Sequence, residues 1–218
     1  SGDGEFDIAL MELILKRWRI GFYTAVDPNP HHNQLFELRF QESNLEVSRL
    51  EIVPETFPNT HFGKKFNLIH MTQCLYYIPD RVSAIQAALE ILNDNGLMLI
   101  FHQTPQGINE IQRRFLKRVK GDENEMYSSN DIYGVLKSLH VKFDFETLDG
   151  LLDVSNLLTQ DSYHGAQLLN FFLECRADLL PNDVKEEVIE FIKDRTFSEN
   201  NRWYLFHPIG VFRVSRSG

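Results

Sequence analysis

An α/β fold, with a mainly parallel sheet covered by helices on both faces, is what this sequence predicts, on three observations. Two runs of strand length, "FNLIHMT" (66–72) and "LMLIFHQ" (97–103), are apolar with few interruptions, as strands buried on both faces are. Between them "PDRVSAIQAALEILNDNG" (79–96) has apolar residues at helical spacing, Pro79 and Asp80 at its start and Asn95-Gly96 at its end. Strand and helix signals alternate through the first half of the chain, the pattern of a parallel sheet. The 218 residues, 43% hydrophobic and 12% aromatic, are enough for one sizeable domain with a packed core.

Taken in order, residues 6–17, "FDIALMELILKR", carry an apolar helical pattern with Asp7 near its start. "GFYTAVDPNP" (21–30) reads as a short buried strand ending at Asp27 and a proline-broken turn, with His31-His32 on a loop. "NQLFELRFQES" (33–43) is helical and "SRLEIVP" (48–54) is a strand. After the strand–helix–strand of 66–103 come helices over 108–119 and 128–139, the second with Ser128 or Ser129 as cap and Asp131 in its first turn. "VKFDFETLD" (141–149) alternates and reads as a strand with one wetter face. Helices are expected over 166–180 and 182–196, and the chain closes on two strand segments in 202–217, broken at Pro208–Gly210. Short polar linkers, "DPNPHHN", "TPQG", "KGDENE" and "SENN", do not divide large independent domains. The expected layout is a cofactor-binding half over 1–104, helical insertions forming a small lobe within 105–200, and a terminal strand pair over 201–218.

A net charge of −9 argues against a nucleic-acid partner, because binding phosphates needs clustered cations. The one basic stretch, Arg113–Lys120, reads as a solvated helix face. Two cysteines, no signal peptide and no apolar run of membrane-spanning length predict a reduced, cytoplasmic protein without a membrane segment. The adjacent His31 and His32 lack a third ligand at metal-site spacing, so no metal is expected. No G-x-S-x-G elbow supports a serine hydrolase.

Three stretches carry chemistry. In "SGDGEFD" (1–7), two glycines run into a helix, as in the turn that brings backbone close to a nucleotide. Asp27 follows Gly4 by 23 positions, at the end of a strand, where a carboxylate accepts both ribose hydroxyls; the same residue type before proline also caps turns. "MTQCLYY" (71–77) sets Thr72 and Gln73 at the carboxyl end of a strand, where open α/β sheets bind ligands, and adds Tyr76 and Tyr77, which are either core packing or flanks for an acceptor held by Gln73.

The stretch "KKFNLIHMTQCLYYIPDRVSAIQAAL" (64–89) resembles the histamine N-methyltransferases, a family of class I S-adenosylmethionine-dependent enzymes, with Ile-His-Met, Gln and Leu-Tyr-Tyr in the family's order and spacing. "SGDGEFD" is similar to the family's glycine loop ending Gly-Glu-x-Asp, "VDPNP" to its Val-Glu-Pro, and "PETF" to its turn after the third strand; weaker similarity runs to the terminal "LFHPIGVF". The resemblance implies a Rossmann-like methyltransferase sheet with its last strand antiparallel. It also implies a strand ahead of the glycine loop, which this sequence does not contain.

Carried over by position, the resemblance implies that Gly2 and Gly4 approach the methionine part of S-adenosylmethionine, that Asp27, followed by Pro28, binds the ribose, that Thr56 and Phe57 lie by the adenine, and that Thr72 lies by the cofactor. It implies that Gln73 positions the acceptor, with Tyr76, Tyr77 and Phe172 around it, and that no side chain is strictly required for the chemistry. His102, at the end of a strand, is either a proton acceptor or structural. The family's histamine-binding asparagine falls at Pro208, and two of its pocket tryptophans fall near Ile108 and Gln112, so the methyl-transfer machinery carries over better than histamine recognition. The expected function is methyl transfer to a small amine or imidazole nitrogen by a monomer. A non-catalytic module that binds S-adenosylmethionine or a metabolite is the alternative, and a nicotinamide-dependent oxidoreductase leaves "TQCLYY" unexplained.

Overall fold

The computed structural model describes residues 1–121, 126–158 and 163–216. It divides into two compact units, Ser1–Leu99 with the residues from Ser215 on, and Ile100–Val214. Most of the expected "KGDENE" linker lies outside the described residues.

In the first unit, α1 (Glu5–Leu15) and α2 (Pro30–Ser43) pack on a parallel pair, β1 (Tyr23–Val26) and β2 (Leu50–Val53), around buried Met11, Ile20, Ala25 and Phe36. The register sets Tyr23 opposite Leu50 and Val26 opposite Val53. Next come β3 (Phe66–Thr72), a 3-10 turn (Leu75–Tyr77), α3 (Arg81–Glu90) and β4 (Leu92–Gln103), which runs on into the second unit. Strand β1 ends one sheet and β3 ends another, so each has an edge with no strand partner among the described residues.

Glycine is required at position 4. Gly4 caps α1 with φ +83°, and a Cβ there would lie 2.6 Å from the buried Phe36 ring. Gly4→Ala is therefore expected to cost about 1–3 kcal/mol, from left-handed strain and the ring contact together. A urea midpoint within error of the wild type would disprove that account.

In this unit two boundaries depart clearly from expectation. The helix expected to end at Asn95-Gly96 stops at Glu90, and β4 takes in 92–96. Gly96 lacks the positive φ of a helix-ending cap, and Leu92 is buried. His31 and His32 lie in the first turn of α2 rather than on a loop, because Asn29 accepts the His31 N–H and Pro30 presets helical φ.

The second unit holds α4 (Ile108–Lys120), α5 (Ser129–Ser138), β5 (Lys142–Leu148), β6 (Leu151–Asp153), α6 (Ser155–Leu158), α7 (Tyr163–Leu173), α8 (Asn182–Lys193), β7 (Thr196–Glu199), β8 (Arg202–Phe206) and β9 (Ile209–Ser215). The Ser128 and Asp131 side chains form a capping box on α5. Ile111, Phe115, Phe172, Leu173, Val188 and Ile192 bring α4, α7 and α8 into one core. On the solvent side of α4, Arg114 and Arg118 pair with Glu187 and Lys120 with Glu174, so the basic stretch is a paired helix face.

The helix expected over 166–180 ends at Leu173, and a 3-10 turn covers Ala177–Leu179, after Glu174 takes φ +49° and closes the helix. An antiparallel sheet β6-β8-β7 was not expected. Its β7–β8 hairpin turns on Asn200 and Asn201, both at positive φ, the geometry of a two-residue turn. The two terminal strands enter different sheets, β8 in this one and β9 in the order β3-β4-β9-β5. Among the described residues no helix is long and apolar enough to cross a membrane.

Candidate functional site

The first unit contains a cavity of about 590 Å³, a size suited to a small molecule or cofactor. It runs beside β1 and β3 from their amino ends, at Phe22 and Phe66, to their carboxyl ends, at Asp27 and Cys74. Apolar strand residues make its walls; polar groups converge at two places.

The first is the carboxyl end of β1. Asp27 Oδ2 accepts the Gly2 N–H at 2.8 Å and Oδ1 accepts the Asn29 N–H at 2.9 Å. Burial pushes this carboxyl up, but the N–H donors of Asn29 and Gly2 outweigh it and hold it below the usual carboxylate range. The turn-capping reading of Asp27 is thus met by the Asn29 bond, while the Gly2 bond ties the glycine loop to the same carboxylate. The side chain keeps 14% exposure and lines the cavity, leaving lone pairs for a ligand. Pro28, Thr56 and Phe57 line it with Asp27.

The second is a cluster that reading the sequence for function missed. The Tyr23 hydroxyl donates to Asp7 Oδ1 at 2.6 Å and lies 2.9 Å from His70 Nε2, which is itself 3.3 Å from Asp7 Oδ1. His70 Nδ1 is 3.1 Å from Thr72 Oγ1. Asp7 is 2% exposed. Burial raises its titration point, but His70 and the Tyr23 hydroxyl reverse that and keep it ionised, while burial and the Asp7 charge push Tyr23 up. The available signal was a carboxylate inside an apolar helical stripe and a histidine in the middle of an apolar strand.

Beyond β3, Gln73 has φ +48°, a conformation seldom taken by a residue with a side chain and found where function fixes the backbone. Leu75 is fully buried and anchors the turn, and Arg81 Nε donates to its carbonyl at 3.0 Å. The Tyr76 and Tyr77 rings lie 4.3 Å apart, and Tyr77, 76% exposed, reaches the cavity.

The structure thus gathers Asp27, Pro28, Thr56, Phe57 and Tyr77 on one cavity, with Gly2 bonded to Asp27. Gly4 stands at the α1 cap, and Thr72, Gln73 and Tyr76 follow one another out of β3 without lining that cavity. Phe172 is in the second unit, 1% exposed in its core. His102 is buried there too, its Nε2 3.3 Å from the Tyr127 carbonyl oxygen, a contact that suits the structural reading. Among the described residues no three His, Cys, Asp or Glu side chains cluster as a metal site would need.

A family model described as a methyltransferase domain matches residues 1–138. Histamine N-methyltransferase of Bos taurus is 24% identical over 213 residues, covering 91% of this chain and 73% of that protein. Carnosine N-methyltransferase 2 of Gallus gallus is 25% identical over 187 residues, 78% of this chain and 57% of its own. Among solved structures, a candidate methyltransferase from Bacillus halodurans shares the fold with a TM-score of 0.64 at 12% identity, over 100% of this chain and 90% of that one.

Proposed function

Because the chain belongs to the methyltransferase-domain family, class I enzymes that depend on S-adenosylmethionine, we propose that it transfers the methyl group to the nitrogen of a small amine or imidazole. The observation that supports this most is Asp27, an ionised carboxylate at the carboxyl end of β1, tied to the glycine loop and open to the cavity. Two curated relatives whose names specify histamine and carnosine favour a nitrogen acceptor.

When bound, the cofactor supplies an electrophilic methyl on its sulfonium. The chain's work is then to hold, align and keep dry. Asp27 accepts the ribose hydroxyls, and Pro28 shapes the turn beside them. Thr56 and Phe57 flank the adenine, Gly2 and Gly4 let backbone approach the methionine part, and Thr72 stands at the cofactor end of β3. Gln73 hydrogen-bonds the acceptor so that a neutral nitrogen points its lone pair at the methyl carbon, and Tyr76 and Tyr77 flank it; their ring faces also favour a cationic group. The protein acts as a monomer in the cytoplasm, without nucleic-acid or membrane partners.

The test is transfer of labelled methyl from S-adenosylmethionine to a panel of primary amines and imidazoles, with Gln73→Ala alongside. Turnover is expected on at least one member. Gln73→Ala is expected to lower kcat/KM by about 10-fold or more, the value of one lost substrate hydrogen bond, with unchanged cofactor affinity. Cofactor binding with no turnover across the panel would sink the nitrogen-acceptor proposal and leave a binding module.

A further inference from the structure

The first N–H groups of a helix have no acceptor within it and need one from elsewhere. Gly107, which precedes α4, stands at φ +68° and has no side chain to serve as a cap. The acceptor comes from 99 positions on: the Ile108 N–H donates to His207 Nδ1 at 3.4 Å. Ile108 is buried, so a donor left unpaired there is costly. His207 lies in the two-residue link between β8 and β9, and backbone bonds hold it in place. Its own N–H donates to the Gly150 carbonyl at 2.8 Å, and the next residue, Pro208, accepts the Thr104 N–H at 3.2 Å. A Cβ on Gly107 would lie 2.7 Å from Nδ1 and 2.7 Å from the Phe206 carbonyl oxygen, so the ring meets the helix start with no room between. Three stretches, 104–108, the turn at 150 and 206–208, thus share one joint.

The bond also fixes the proton. An N–H donates to Nδ1 only when that nitrogen carries none. A proton there would set N–H against N–H. It would also place a positive charge at the amino end of a 13-residue helix, where the helix dipole opposes it.

We propose that His207 is a pH-sensitive cap of α4: neutral, it closes the helix start and ties it to the β8–β9 link; protonated, it releases both. The titratable groups on the segments around the joint are His102 at the end of β4, Glu110 in the first turn of α4, Asp131 in the first turn of α5 and Asp149 before Gly150. Glu110 pairs with Arg195 at 2.8 Å, and Asp131 accepts from Ser128. Burial is the larger cause acting on His207 and holds its imidazole below the usual range; a backbone bond with Gln106 pulls the other way, and none of those four groups is among the causes. In the unfolded chain a histidine titrates near 6.5. Between that pH and the lower one at which folded His207 takes its proton, the unfolded state holds the extra proton, so stability rises with pH there. The contribution of neutral His207 is therefore complete above about pH 6.5 and is lost as the pH falls below it.

The experiment is amide hydrogen exchange on the whole chain, read at Ile108 by NMR at pH ~7.5 and ~5, with the His207 ring titrated in the same samples. In the wild type the protection of Ile108, after allowance for the intrinsic exchange rate, is expected to fall about 10-fold or more at the lower pH. His207→Asn keeps an acceptor oxygen and does not titrate, so its protection should change less than about twofold. His207→Leu, with no acceptor, should be poorly protected at both pH values. The wild-type ring should titrate below the usual histidine range, a reading that needs no variant to fold. Equal loss of Ile108 protection in wild type and His207→Asn would overturn the proposal. So would a wild-type ring that gains its proton with Ile108 protection unchanged.

Discussion

Asp27→Ala is expected to raise the dissociation constant for S-adenosylmethionine by about 100-fold or more, or about 2.7 kcal/mol. Two effects add. On the proposed binding mode, the ribose loses an ionised acceptor for both hydroxyls, each a charge-assisted bond worth about 1.5–3 kcal/mol. The Gly2 and Asn29 N–H groups lose the acceptor that ties the glycine loop to the end of β1, so the backbone of that loop loosens. Asp27→Asn, which keeps an acceptor oxygen but not the charge, should fall between. Calorimetry checks the affinity, and circular dichroism checks that the variant is folded. A loss below about threefold in folded Asp27→Ala would mean that the ribose is held elsewhere.

Phe172→Ala is the second large effect, and it falls on stability. The ring is 1% exposed in the core of the second unit, with Phe115 and Ile111 of α4 and Val188 and Ile192 of α8. Removing it is expected to cost about 3–5 kcal/mol, from lost burial and the cavity left behind, read as a lower urea midpoint with unchanged slope. Phe172→Leu should recover most of it. Its neighbour Phe171 is 65% exposed, and Phe171→Ala should move the midpoint little. A Phe172→Ala protein that unfolds where the wild type does, yet shows a raised KM for the acceptor, would instead make the ring a pocket wall, the role the family resemblance implies.

Much of the fold was legible because its signals are local. The strand "FNLIHMT" spans the residues of β3, and Asp80 caps α3 by accepting the Ser83 N–H. The Ser128–Asp131 spacing made its capping box, since cap chemistry needs only neighbours three apart. The failures were equally physical. Asn95-Gly96 has the composition of a helix end but lies extended, because pairing in a sheet outweighed propensity. The β7–β8 hairpin was signalled only by Asn200-Asn201, a weaker relative of the usual Asn-Gly pair.

By itself the sequence determined the alternation of elements, the glycine turn at positions 2 and 4, and the candidate carboxylate Asp27, because each rests on residue type and short spacing. Only the tertiary structure decided that Asp7, Tyr23 and His70, separated by 16 and 47 positions, meet in one buried cluster. It alone decided too that Phe172 is core and that β8 and β9 part into different sheets. Those outcomes depend on which faces of distant elements pack together, and neither periodicity nor motif spacing encodes the distance between side chains brought together by the fold.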